Sequence, residues 1–288
     1  MHKKTETQEI ELIRSTAELL FTNGQSTKKL VHDLKMLAYK LGYECTIIPH
    51  WGGLIVELDT INKAEPNQTL IFNVHPFGVQ MNKVKLATLV IHQFIAGTLN
   101  LGQALKAMQD VNQSAPCSLP RFIAMSAIGA ASLGVIFGVL DLKILFLVML
   151  SAGIGALLRR LIGKVSINYY SQVFVASIFT GAFGCFLHDY QFAPASVLIF
   201  LCPCMILVPG PHILNGIFDI ARGDIGIGQS RLAYAMTIVL VICIGLVGSL
   251  ALHHQILTEY VATSEVPLPY LLIAVCAVVA AYGSYFSM

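Results

Sequence analysis

Residues 122–140, FIAMSAIGAASLGVIFGVL, run nineteen positions without a charged side chain. A helix needs roughly 20 predominantly apolar residues to cross about 30 Å of hydrocarbon, so this stretch predicts a membrane span. Toward the carboxy terminus the same pattern recurs at 142–158, 173–187, 194–208, 232–252 and 268–286. The second run carries Lys143 near one end and the third and fourth are short, so each must tilt, thin the bilayer or be shielded by neighbours. A hydrophobic content of 56% and a mean hydropathy of +0.71 argue against a soluble all-helical core. Before Pro120 the pattern ends, and charged and apolar residues mix as in a water-facing domain. The expected fold is a polytopic α-helical membrane protein with about five to six transmembrane helices in residues 119–288. A cytosolic α+β domain is expected in residues 1–118.

Orientation follows from the basic residues. Arg121 precedes the first span, Arg159, Arg160 and Lys164 follow the second, and Arg222 and Arg231 lie between the fourth and fifth, whereas the opposite side has Lys143 alone. Segment 253–267 holds two glutamates and no lysine or arginine. Positive charge near span ends stays on the cytoplasmic side, so both termini are expected in the cytoplasm, with the chain crossing the inner membrane several times. Residues 1–14 are polar and lack the apolar core of a signal peptide. Seven scattered cysteines give no disulfide framework, and Cys202 and Cys204, which flank Pro203, lack further ligands at a metal-binding spacing. Neither metal nor cofactor is expected. With a net charge of +2 and lysines interleaved with acids there is no basic face, which excludes nucleic acid as a partner.

In the amino-terminal domain, Ile10, Ile13, Ala17, Leu20 and Phe21 repeat at helical spacing over 10–21, and Asn23-Gly24 supplies a stop. Ser26 can cap a second helix whose buried stripe is Leu30, Leu34, Leu37, Ala38 and Leu41, ended by Gly42. Short β-rich runs follow at 44–48, 54–58 and 69–74, separated by Gly52-Gly53 and the polar loop 62–68. Helices are expected over 84–95 and 101–111, giving the order α-α-β-β-β-α-α. His32, His50, His75, His92 and Cys45 match no nucleophile elbow, phosphate loop or zinc-protease motif, so no catalytic residue is assigned and the chain is not read as an enzyme. His75-Pro76 reads as a turn after a strand and Trp51 as a hairpin aromatic packed on its own sheet.

Gly134 with Gly138 and Ser151 with Gly155 are small residues at i, i+4, the spacing that lets membrane helices approach closely. The unusual segment is 203–231. Pro209, Gly210, Pro211 and Gly216 follow an apolar run with no polar linker, so a helix is broken near the membrane. The fifteen residues 194–208 cover about 22 Å as a helix, too little to cross unaided. Discontinuous helices expose partial charges at their ends, and transporters use them to hold solutes and coupling ions. Beyond the break stand Asn215 and Asp219, at i, i+4 on one helical face, then Arg222, Asp224 and Arg231. The same pattern also fits a cytoplasmic loop with an amphipathic surface helix.

Over Leu207-Val208-Pro209-Gly210, Asn215, Asp219, Gly223-Asp224, Gly228 and Arg231 the chain resembles the threonine/serine exporter family. Asn23-Gly24-x-Ser26, Leu41-Gly42, Gly78-Val79-x-Met81-x-Lys83 and Ser166-Ile167-Asn168 extend the resemblance over nearly the whole chain. Lys28-Lys29 and His212 depart from the family pattern. The resemblance implies an inner-membrane exporter of small polar metabolites, serine and threonine in some members and dicarboxylates such as succinate in two-component relatives. It implies a partner too: a second membrane subunit like the half this chain lacks, with a homo-oligomer as the rival. Pro209, Gly210, Asn215, Asp219, Asp224 and Arg231 are then the expected substrate and ion path, with Asp219 the coupling carboxylate and Arg231 its counter-charge. A membrane-tethered hydrolase and a non-transporting scaffold remain the alternatives.

Overall fold

The computed structural model describes residues 2–61, 67–75, 79–115, 117–166, 168–189, 196–252 and 266–286. Several expectations fall outside the described residues: most of the polar loop 62–68, Pro76 of the expected turn, Gly78 and Ile167 of the family motifs, the start of the fourth apolar run, and the acidic segment at 253–265. The chain forms two compact units. One takes residues 1–116, 211–233 and 286–288, the other 117–210 and 234–285. Residues 211–233, assigned to the membrane domain from sequence, thus cluster with the amino-terminal region.

The first unit begins with α1 (His2–Thr22) and α2 (Thr27–Leu41). Ile13, Ala17, Leu20 and Phe21 are buried on α1 and Leu30, Leu34, Leu37 and Ala38 on α2, the stripes set by the 3.6-residue period. Ser26 has the extended backbone of an N-cap but its side chain makes no capping bond, contrary to expectation. Gly42, at φ 87°, closes α2 in the left-handed region that glycine enters freely. Next come β1 (Tyr43–His50), β2 (Gly53–Thr60) and β3 (Gln68–Phe72), an antiparallel sheet in the order β1-β2-β3 with His50 opposite Gly53 and Leu54 opposite Phe72. Leu54, Val56 and Leu58 of β2 point into the core at every second residue. Helices α3 (Met81–Ile95) and α4 (Leu101–Gln113) follow, α4 opened by a capping box between Asn100 and Gln103. A continuous core joins these elements and includes Ile227 from the late segment.

The second unit starts with α5 (Leu119–Ile136), α6 (Leu142–Val165) and α7 (Tyr169–Asp189). Gly138 is not a helix-packing position: α5 has already ended, and Gly138, at φ 93°, donates to Val135 while Val139 donates to Gly134, a Schellman stop. Gly134 and Gly155 do make close contacts, since an added Cβ would lie 3.2 Å from Leu145 and 3.3 Å from Thr180. The third run is longer than 173–187, because α7 extends to 21 residues. After α7 come α8 (Ser196–Cys204), a 3₁₀ turn (Met205–Leu207), α9 (Gly210–Ala221), α10 (Ile225–Leu252) and α11 (Leu268–Phe286). Among the described residues α5, α6, α7 and α10 are long and apolar enough to cross a membrane, and the bent pair from α8 to α9 makes a fifth if it counts as one span. α11 occupies the sixth expected run, 268–286, and is an apolar helix over 268–283. Small polar side chains, Ser126, Ser151, Ser177, Thr180 and Ser249, are buried within this unit, while Leu142, Phe146, Leu240 and Val279 are exposed. A bundle that is polar at helix contacts and apolar outside is built for hydrocarbon, where only helices that satisfy their own backbone can span.

Candidate functional site

The break after α8 has identifiable causes. Pro203 lies inside α8 and has no N–H, so the carbonyl one turn earlier, at Ile199, loses its helical donor. Pro209 then holds Val208 in the extended region, at φ −65° and ψ 128°. The Val208 carbonyl accepts from Gly210 N–H at 2.9 Å and from the Tyr282 hydroxyl at 2.9 Å. Gly210 is needed there, because a Cβ would stand 2.7 Å from the Tyr282 oxygen.

α9 is amphipathic in an unusual sense. His212, Gly216 and Asp219 are buried and Asn215 half-buried along one face, while Leu214, Ile217 and Phe218 are exposed on the other. Gly223, at φ 93°, ends the helix with a second Schellman stop: Gly223 donates to Ile220 and Asp224 to Asp219. The Asp224 carbonyl starts α10 by accepting from Gly228. Gly216 and Gly228 let the two helix backbones meet. A Cβ on Gly216 would lie 3.0 Å from the Gly228 carbonyl, and one on Gly228 would lie 2.6 Å from Ile220.

Within this hairpin Asp219 and Arg231 form an ion pair, Oδ2 to Nε at 3.3 Å, with side chains only 1% exposed on each partner. The turn between α1 and α2 closes over it. Thr27 Oγ1 donates to Asp219 Oδ2 at 2.9 Å, Arg231 Nη2 reaches Thr27 Oγ1 at 3.3 Å and the Gln25 carbonyl at 3.5 Å, and Asn215 Nδ2 donates to the Gly24 carbonyl at 3.2 Å. Thr27 opens α2, whose positive end favours a nearby carboxylate. Asp219 Oδ1 is buried and makes no hydrogen bond among the described residues. His212 stands edge-on to Trp51, centroids 6.4 Å apart.

The structure therefore brings together three of the expected path residues, Asn215, Asp219 and Arg231, and adds Gly24, Gln25 and Thr27. The Asn23-Gly24-x-Ser26 motif was the only sequence signal for them. Asp224 is exposed at the turn, and Pro209 and Gly210 belong to the second unit, where they shape the break. Cys45, the one cysteine of the expected soluble strands, is buried on β1 and its thiol is pushed up to about 11 by desolvation, with Lys35 opposing. Such a thiol is almost wholly protonated near neutral pH and is a poor nucleophile.

Beside the break, in the second unit, lies a small cavity lined by Ser126 of α5, Gly155 and Arg159 of α6, Thr180 of α7, and Pro203 and Ile206. Thr180 Oγ1 donates to the Ser177 carbonyl at 3.0 Å and meets Cys204 Sγ at 3.1 Å. Arg159 lies with its guanidinium carbon 5.0 Å from the Tyr169 ring centroid and donates to the Tyr169 hydroxyl at 2.9 Å. The cavity has room for about one water.

The family model described as "Putative threonine/serine exporter" (ThrE) matches residues 11–253. No curated protein matches the chain. No solved structure matches it either.

Proposed function

The chain belongs to the threonine/serine exporter family, and on that premise we propose that it exports small polar metabolites across the inner membrane, driven by an ion gradient. Its solutes are serine, threonine or dicarboxylates such as succinate. The observation that carries this reading is the helix interrupted at 203–209 beside a cavity with hydroxyl and guanidinium groups, inside a bundle that is apolar outside. Interrupted helices whose freed polar groups line a cavity are how membrane proteins bind polar solutes at membrane depth.

In this reading Pro209 and Gly210 keep the break open, and Asn215, Asp219, Asp224 and Arg231 form the inner end of the path. Asp219 exchanges the coupling proton at its unbonded Oδ1, and Arg231 is its counter-charge. With Asp219 and Arg231 sealed beneath Thr27 and Gln25, proton exchange requires the α1–α2 turn to lift. Both termini face the cytoplasm, with Arg159, Arg160 and Arg222 on that side. A shorter membrane subunit, or further copies of this chain, completes the transporter, with lipid around it.

Vesicles containing the chain, alone or with a candidate second subunit, are loaded with labelled serine, threonine or succinate, and efflux is followed under an imposed proton gradient. Gradient-dependent efflux of at least one solute supports the proposal. Efflux no faster than from protein-free vesicles, for all three and in both arrangements, rejects it.

A further inference from the structure

The cavity beside the broken helix is one-sided in its charge. Among the described lining residues stand one cation, Arg159, the hydroxyls of Ser126 and Thr180, and no carboxylate. Ser126 is 2% exposed, and its Oγ has no hydrogen-bond partner among the described residues. A buried hydroxyl without a partner is unfavourable in a bundle of this kind and calls for an explanation. Arg159 stands toward the end of α6 and is the cation that lines this cavity.

We infer that this cavity is a carboxylate site, in which the Arg159 guanidinium meets the carboxylate of the solute and the Ser126 hydroxyl donates a further hydrogen bond to it. The inference rests on the exporter reading and adds to it a place, the residues that meet the carboxylate its solutes share. A planar guanidinium matches a carboxylate with two parallel N–H···O bonds, which an ammonium does not. Tyr169, under the guanidinium and bonded to it, fixes the plane in advance, so less freedom is lost on binding.

The size of the cavity fits a contracted state. Room for about one water does not admit serine, so a wall has to move. Gly155, Ala152 and Ala156 line it from α6, an unbroken helix of 24 residues. Pro203 and Ile206 line it from the segment where α8 gives way to a 3₁₀ turn, and that segment is the one able to yield. The rival role for Arg159 is to reach a lipid phosphate at the bilayer surface, with its stem along apolar side chains.

The test uses the full chain in vesicles, in a cysteine-free background carrying Ala152→Cys, and reads the rate of alkylation at that position. Serine and succinate should each slow alkylation about tenfold at a concentration about ten times Kd. Ethanolamine, which lacks the carboxylate, should have no effect. Arg159→Gln should abolish the protection and Arg159→Lys restore part of it. Ala156→Cys, on the same helix, serves if Ala152→Cys does not insert. Equal alkylation rates with and without serine and succinate overturn the inference, as does protection that survives Arg159→Gln. Protection by glycerol phosphate alone assigns the cavity to a lipid headgroup and overturns it too. Solute efflux is measured on the same vesicles. Protection without efflux retains the site and rejects export, whereas efflux with an unchanged KM in Arg159→Gln rejects the site and retains export.

Discussion

Replacing Asp219 with asparagine keeps the size of the side chain and removes its charge, leaving Arg231 as a guanidinium 1% exposed with no counter-charge. Removing one partner of a buried pair costs about 3–5 kcal/mol, against about 0–1 kcal/mol for an exposed pair. The Thr27 hydroxyl also loses its ionised acceptor, so the expected destabilisation lies toward the upper end of that range. Since domains are stable by about 5–15 kcal/mol, Asp219→Asn should weaken the first unit severely without preventing insertion. Trp51 is the sole tryptophan and touches His212, in the helix that carries Asp219. Its fluorescence during urea unfolding in detergent therefore reports this unit. The double variant Asp219→Leu with Arg231→Met removes both charges and should recover most of the loss, because a buried pair replaced by apolar groups is often neutral or better. The coupling energy comes from the cycle of single and double variants. Single variants that cost less than about 1 kcal/mol, or a double variant equal to their sum, would refute the buried clamp. The same proteins separate stability from transport. A double variant that regains stability but exports nothing supports Asp219 as the coupling carboxylate, and one that regains both makes the pair structural.

Other outcomes follow from neighbouring features. Gly228→Ala puts a methyl 2.6 Å from Ile220 and 2.8 Å from the Gly216 carbonyl and should destabilise by about 1–3 kcal/mol; Gly226→Ala, with nothing within 4 Å, should be neutral or stabilising by up to about 1 kcal/mol, and equal urea midpoints for the two would contradict the helix contact. Cys45 should resist iodoacetamide at pH 8 until the protein is unfolded, and native labelling as fast as in denaturant would contradict its burial. Because folding raises the Cys45 thiol from 9.0 to about 11, its contribution to stability is fully present below pH 9.0 and is lost as the pH climbs through about 11, measurable as a falling urea midpoint that Cys45→Ala abolishes. A cysteine placed at Ser264, in a cysteine-free background, should react with an impermeant thiol reagent in intact cells, and labelling only after lysis would reverse the proposed orientation.

How much of this was legible in the sequence depends on how far apart the interacting residues stand. The α1 and α2 stripes and the alternation in β2 are local periodicities, and the order α-α-β-β-β-α-α followed from them. The first, fifth and sixth apolar runs needed only hydropathy to be seen, whereas where their helices end depends on turn geometry. Gly138 looked like half of a small-residue pair because spacing cannot tell a helical glycine from one at φ 93° that stops the helix. The polar cluster was half visible. Asn215 and Asp219 announced a common face, and Arg231 a counter-charge, yet Thr27 is 192 positions from Asp219, and no periodicity links residues at that distance. Thr27 also sat one position beyond Ser26, the residue with the better cap chemistry. Ser126 and Arg159 were hidden for another reason: Ser126 carries no sequence signal of its own and Arg159 reads as a marker of the cytoplasmic side, and only the fold places both on one cavity. The grouping of 211–233 with the first unit was the least legible feature, and α9 explains why. Its apolar residues Leu214, Ile217 and Phe218 face outward, while its carboxylate faces the protein core. In a soluble domain the apolar side of an amphipathic helix marks its inner face; in α9 that rule is inverted, and the polar face is the one that meets protein.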